Sequence, residues 1–202
     1  MAKMGLKYVA WNKMTADTDA ADPTYEADGA IVVGRMVSVN VAISNSEGEL
    51  YADDMLAEYA SEFSSADLTA EVDNISLENQ AKLYGATYSE DGEFQACAND
   101  NAPYGCVGGY QVLQINGVKK YRAWFYPKAK ASMPDFDGTT KGNSVSFGTQ
   151  PMKMKIASPK HGPWYRAKEF ATEADAKAYI DGKVGISAAS GSTGSGSTGS
   201  GN

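Results

Sequence analysis

Histidine and cysteine are almost missing from this chain: His161 is the one histidine of 202 residues, and Cys97 and Cys106 are the two cysteines. That scarcity excludes a four-ligand zinc site unless carboxylates complete it. His161, in "KHGPW", has no nucleophile motif beside it, neither GxSxG, HExxH nor a cysteine in matching context, and is expected to be a turn histidine. Glycine is plentiful at 21 residues, yet no GxGxxG or GxxxxGK[ST] opens a helix, so nucleotide binding has no support. No run approaches the roughly 18 apolar residues that span a bilayer. The start, "MAKMGLKYVAWNK", lacks the apolar core of an export signal. A cytosolic chain with reduced cysteines is therefore expected, and no membrane segment.

What is present is ordinary globular material, with 43% hydrophobic and 21% charged residues. The length suits one domain with a real core, over residues 1–186. The remainder, 187–202, ends in "GSTGSGSTGSGN", which can bury nothing and is expected to be a flexible tail or linker. Charge divides the chain. Residues 1–100 hold 19 acidic against 5 basic residues, a balance of −14, whereas residues 101–202 hold 6 against 13, a balance of +7. One copy can therefore dock its basic face on the acidic face of another, head to tail. The alternative is that both faces are simply solvated.

The periodicity is that of strands. After a short strand at 6–11 and an acidic loop over 15–29, "MVSVNVAIS" (36–44) alternates Val37, Val39, Val41 and Ile43 with polar or small residues. "SSADLTAEV" (64–72) alternates again, with Ala66, Leu68, Ala70 and Val72 opposite an acidic face of Asp67 and Glu71. A helix is predicted over 76–84, capped by Ser76, with Leu77, Ala81 and Tyr84 on one face and Gly85 as its stop. Two strands, 104–115 and 118–126, flank Asn116-Gly117, the strongest short hairpin signal. Further strands are predicted at 143–150 and 152–157. A closing helix, capped by Thr172 and Asp175, is expected to end at Gly182. The sum is a mainly β (α+β) chain: an antiparallel β-sandwich, or barrel-forming sheets, with a flanking helix, a short C-terminal helix and one wet sheet face.

Clustered carboxylates are the remaining candidates for chemistry. In "ELYADDMLAE" (49–58), Asp53 and Asp54 are adjacent and diverge in an extended chain, whereas Asp54 and Glu58 would repel each other at i, i+4 of a helix. Two-carboxylate catalysis needs convergence and split pKa values, so an acidic connection between strands is the reading. Calcium would need six to eight oxygens; here, in "DPTYEADG" and in "DFDG", the spaced ladder ending in a bidentate Glu is lacking. Lys119, Lys120, Arg122, Lys128 and Lys130 interleave with Tyr121, Trp124 and Tyr126 in the manner of a nucleic-acid sheet. Strand alternation instead favours ordinary packing with a basic outer face. The pattern suits contact, with no catalytic residue, metal or cofactor expected.

Taken in order, "MGLKY", "LYADD" followed by Glu58, "LTAEVDNISLENQAKLYG", "APYGCVGGY", "NGVKKYRAWFYPK", "TKGNSVSFGT" and "FATEADAKAYI" resemble the major tail proteins that build the tail tube of long-tailed bacteriophages and related particles. The likeness runs through most of residues 1–183; the acidic insert at 15–29 and the Gly/Ser tail depart from it. The resemblance implies a non-enzymatic virion protein, assembled in the host cytoplasm. Six copies would form rings that stack head to tail into a tube and meet tape measure, terminator and distal tail proteins, while DNA passes through without specific binding. Under it, Asp53, Asp54, Glu58, Lys119, Lys120 and Arg122 are expected at the contact between rings, and Asp67 and Glu71 on the channel wall. The alternative is a surface or secreted sandwich that binds carbohydrate or calcium, for which "WFY" (124–126) would have to form an exposed platform.

Overall fold

A computed structural model describes residues 2–52, 55–134 and 148–186. Its strands are β1 (Ala2–Thr18), β2 (Ala21–Tyr25), β3 (Ile31–Gly34), β4 (Met36–Ala52), β5 (Met55–Val72), β6 (Thr87–Tyr88), β7 (Phe94–Gln95), β8 (Tyr104–Ile115), β9 (Val118–Ser132), β10 (Gln150–Ile156) and β11 (Arg166–Phe170); its helices are α1 (Leu77–Tyr84) and α2 (Glu173–Val184). Every strand pairing is antiparallel. The large sheet runs β2-β1-β8-β9-β10-β5-β4, with β11 added on β9 and β3 on β1; β6 and β7 form a separate hairpin.

This sheet curls until its two ends meet. β3 pairs with β1 near one end while β4 pairs with β5 at the other, and Arg35 alone separates β3 from β4. Asp73, just past β5, holds the junction: its carboxylate accepts the Arg35 N–H at 2.8 Å, and its own N–H donates to the Arg35 carbonyl at 3.0 Å. Inside the curl lie Val9, Trp11, Leu68, Val72, Val107, Trp124, Met152, Met154 and Ile156, with Ile75 and Leu83 beside α1. The alternation of β5 and β10 reports this directly, because Ala66, Leu68, Ala70, Val72, Met152, Met154 and Ile156 are buried while Asp67, Thr69, Glu71, Lys153 and Lys155 are exposed.

A second core forms on the outer side of β1, β8 and β9, where α2 lays Ala176, Ile180 and Val184 over Tyr8, Ala10, Cys106, Tyr110, Ala123 and Phe125. Both faces of the middle of β9 are thus dry, and its basic residues are divided between its start, Lys119, Lys120 and Arg122, and its end, Lys128 and Lys130. Two glycines of β8 are required here. A Cβ on Gly105 would strike the Trp11 indole, and one on Gly109 would strike the Tyr8 carbonyl and the Trp124 ring. Their bare backbone lets the indoles lie flat against the sheet.

Local signals hold where a named interaction backs them. Ser76 Oγ accepts from the Asn79 N–H and Gly85 closes α1 at φ 71°. Asn116 and Gly117 take φ 50° and 81°, the left-handed pair of a tight hairpin. Thr172 caps α2, its Oγ1 accepting the Asp175 N–H at 3.2 Å. Elsewhere the structure departs from the expectation. Leu77 is exposed, and Leu83 takes its place in the core. α2 runs through Gly182 and ends at Gly185, φ 86°, because packing of Val184 holds its last turn. The 15–29 loop contains the end of β1 and all of β2, and β11 stands where the pattern shows no strand; β2 and β11 are too short and polar to show alternation. Cys97 is exposed and Cys106 buried, and both are free. Most of the predicted 143–150 strand, the "DFDG" turn and the tail from 187 lie outside the described residues.

Candidate assembly surfaces

"ELYADDMLAE" is for the most part strand rather than connection. β4 and β5 stay paired out to Ala52 and Met55, well past the point where β10 leaves β5 at Ala66. From Asn45 and Phe63 outward the pair has no third strand among the described residues, where it forms a two-stranded ribbon of roughly 25 Å at about 3.3 Å per residue. Side chains 45–49 and 59–62 are exposed, with Tyr59 at 53%. Its chemistry is one-sided: residues 36–81 contain no Lys or Arg, and the ribbon itself carries Glu47, Glu49, Asp53, Asp54, Glu58 and Glu62. Asp53, Asp54 and the side chain of Glu58 lie outside the described residues. β4 is also the last strand of the sheet, so its outer backbone edge has no neighbour among the described residues. On that strand Val37 and Ile43 are more than half exposed.

The predicted basic partners separate into two kinds. Lys119 and Lys120 stand exposed at the tip of the β8–β9 hairpin. Arg122 is already engaged within the chain, its Nε and Nη2 donating to Glu169 Oε1 at 3.1 and 2.6 Å. That guanidinium holds the Glu169 carboxyl below its ordinary value. Register fixes where these groups point. Ala129, Ile156 and Ala66 stand side by side across β9, β10 and β5, and from that level β9 toward Val118 and β5 toward Met55 run the same way. The Lys119-Lys120 tip and the acidic ribbon therefore leave the same end of the molecule.

Asp67 and Glu71 lie on the wet face, as the alternation predicts, but that face is not acidic. Lys155 Nζ lies 3.1 Å from Asp67 Oδ2, Thr149 Oγ1 donates to Glu71, and Lys153 stands opposite Thr69 between them. Lys130 and Ser132 of β9 complete a shallow depression over the same strands. β10 supplies the neutralising charge, which reading β5 alone does not reveal.

The helix on the far face is tied down by two carboxylates. Glu173 accepts from Lys7 Nζ at 3.0 Å and from the Tyr110 hydroxyl at 2.9 Å, and these donors hold its carboxyl below the usual range. Asp181 accepts from the Tyr8 hydroxyl at 2.7 Å; burial, then this carboxylate, pushes the Tyr8 phenol up. Away from the helix, Lys128 of β9 pairs with Asp17 of β1 at 2.7 Å, mostly buried. Burial raises the Asp17 carboxyl, yet Lys128 and the Lys160 N–H outweigh it and leave it lowered.

Other chemistry finds little footing among the described residues. No group of three His, Cys, Asp or Glu there stands close enough to hold a metal ion. Trp124, Phe125 and Tyr126 are 6%, 3% and 7% exposed, so "WFY" is core and not a sugar platform. One depression of about 550 Å³ is lined by charges of both signs, Lys13, Glu26, Asp28 and Lys82, beside Trp11. No described helix is long and apolar enough to cross a membrane. Compared with protein-family models and with curated proteins, the chain matches none.

Proposed function

We propose that this protein is a structural subunit that assembles with copies of itself. The observation that carries the reading is the β4–β5 ribbon: its described side chains beyond Phe63 are exposed, its charged residues are all acidic, and its β4 edge has no neighbour among the described residues. A two-stranded ribbon alone in water is marginal, and an unpaired edge is a template for another chain. Both features are accounted for when a neighbouring copy covers them.

Within that class, the particular function we infer is that of a phage tail-tube subunit, forming closed hexameric rings that stack into a hollow conduit for genome ejection. The ordered resemblance of residues 1–183 supports this reading, and so does a curled antiparallel sheet with one face covered by a helix. The wet β5–β10 face is the candidate channel wall: its carboxylates alternate with lysines, so passing phosphates meet no continuous basic track. The Lys119-Lys120 tip and the acidic ribbon suit a contact between neighbours within a ring, adding register and association rate more than affinity. The implied partners are further copies and other tail proteins, and the implied place is the virion.

Native mass measurement and negative-stain electron microscopy of the purified protein test the proposal together. Rings or hollow tubes are the expected result. A particle that stays monomeric at high concentration across a range of salt overturns it, and a melting temperature raised by calcium or a glycan in that monomer would favour the binding-module alternative.

A further inference from the structure

The ribbon leaves the body at one defined place. β10 stops pairing with β5 at Ala66, and two residues earlier the β4–β5 register slips: Ser44 faces Ser65, Asn45 faces Phe63, and Ser64 is left over as a bulge. Bulges bend and twist a strand pair, so this is the natural pivot between body and ribbon. At the same level Phe63 lies flat on Trp164, ring centroids 3.9 Å apart and planes 5° from parallel. Trp164 belongs to the segment between β10 and β11, just after Gly162 at φ 84° and Pro163. Besides its exposed chain neighbour Tyr165, it leads inward to Tyr126 at 6.2 Å and from there to Trp124 at 5.7 Å. Phe63 and Trp164 are both partly buried against the main core. The first residue pair of the ribbon is therefore bolted, through one aromatic stack, to the centre of the molecule.

We infer that Trp164 is a positioning residue: stacked on Phe63 beside the Ser64 bulge, it sets the angle at which the acidic ribbon leaves the body, so that the ribbon meets a second copy in one orientation. The stack does for direction what the ladder hydrogen bonds of a two-stranded ribbon cannot do, since a ribbon held only by its own ladder is free to swing about a bulge. The inference rests on the assembly reading for its purpose, but not for its geometry.

The test measures geometry and assembly separately. Spin labels at Glu47→Cys on the ribbon and Ala167→Cys on β11, in a Cys97→Ser background, report the ribbon angle in unassembled protein as a distance distribution. One narrow distribution is expected for the parent. Trp164→Ala should broaden it with unchanged circular dichroism, and Trp164→Phe, which keeps a stacking ring, should restore it. Phe63→Leu gives the same comparison should Trp164→Ala not fold. A distribution equally narrow without the stack overturns the inference. In assembling protein, Trp164→Ala should slow nucleation by about tenfold, as when the competent orientation is populated a tenth of the time; an unchanged rate with a broadened distribution overturns the role in assembly. If the parent itself never assembles, the proposed function falls, while the distance comparison still decides whether Trp164 sets the angle.

Discussion

At the scale of single residues, the informative side chains are those that tie layers together. Glu173 joins α2 to β1 and β8 through Lys7 and Tyr110, and its lowered pKa is a statement about stability. A carboxyl whose folded pKa is depressed stabilises the fold above its unfolded value, near 4.3 for Glu, and loses that contribution as pH falls through the folded value. Asp17, held low by Lys128 and Lys160, acts in the same direction. Denaturant midpoints measured from pH 7 to pH 3 should therefore fall on the acid side, with a shallower fall for Glu173→Gln. Tyr8 and Tyr110 act at the other extreme: their phenols are raised, so stability should decline as pH climbs above the ordinary tyrosine value near 10. Gly109 tests packing rather than charge. Alanine there meets the Tyr8 carbonyl and the Trp124 ring, and should cost about 1–3 kcal/mol in urea unfolding, as overpacking does.

Among the elements, the β4–β5 pair divides into two parts with different duties. Its inner half, Met36–Ser44 against Ser65–Val72, faces the core through Val39, Val41, Leu68 and Ala70. The outer half adds no buried side chain that the structure describes. Replacing residues 46–62 by an Asn-Gly turn should leave the unfolding free energy within about 0.5 kcal/mol of the parent, the usual range for surface changes. The same protein should stay monomeric by light scattering. A large loss of stability would mean that the ribbon belongs to the body after all.

For the whole molecule, charge is arranged by end as well as by face. Acidic ribbon and Lys119-Lys120 tip share one end, which under the proposed assembly would turn both toward a side-by-side neighbour. Reversal of both lysines to Glu should slow assembly, most strongly at low salt, because exposed charges separated by more than about 10 Å are screened at 0.1 M. Added Arg122→Glu has a second effect: it breaks the Glu169 pair within the chain, so its consequence for stability must be measured beside the assembly rate. Light scattering during polymerisation reads this directly, and an unchanged rate removes the tip from the contact.

Much of this architecture is legible residue by residue. Alternation at 64–72 and 152–156, Asn116-Gly117, the Ser76 and Thr172 caps and Gly85 each act over a few residues, and each stands where the pattern says. The chain alone also determines that residues 36–81 are acidic without a single base. Three features needed the tertiary structure. The outer ribbon is exposed at 45–49 and 59–62 alike, so these residues leave no periodic signal, although its strands are among the longest described. The neutral wet face arises because β10, some 80 residues distant, lays its lysines beside Asp67 and Glu71. Trp164 meets Phe63 only because the curled sheet brings the β10–β11 segment to the ribbon root. Local turns and alternation are written in neighbouring residues, whereas charge cancellation and aromatic stacking belong to partners that the chain brings together only by folding.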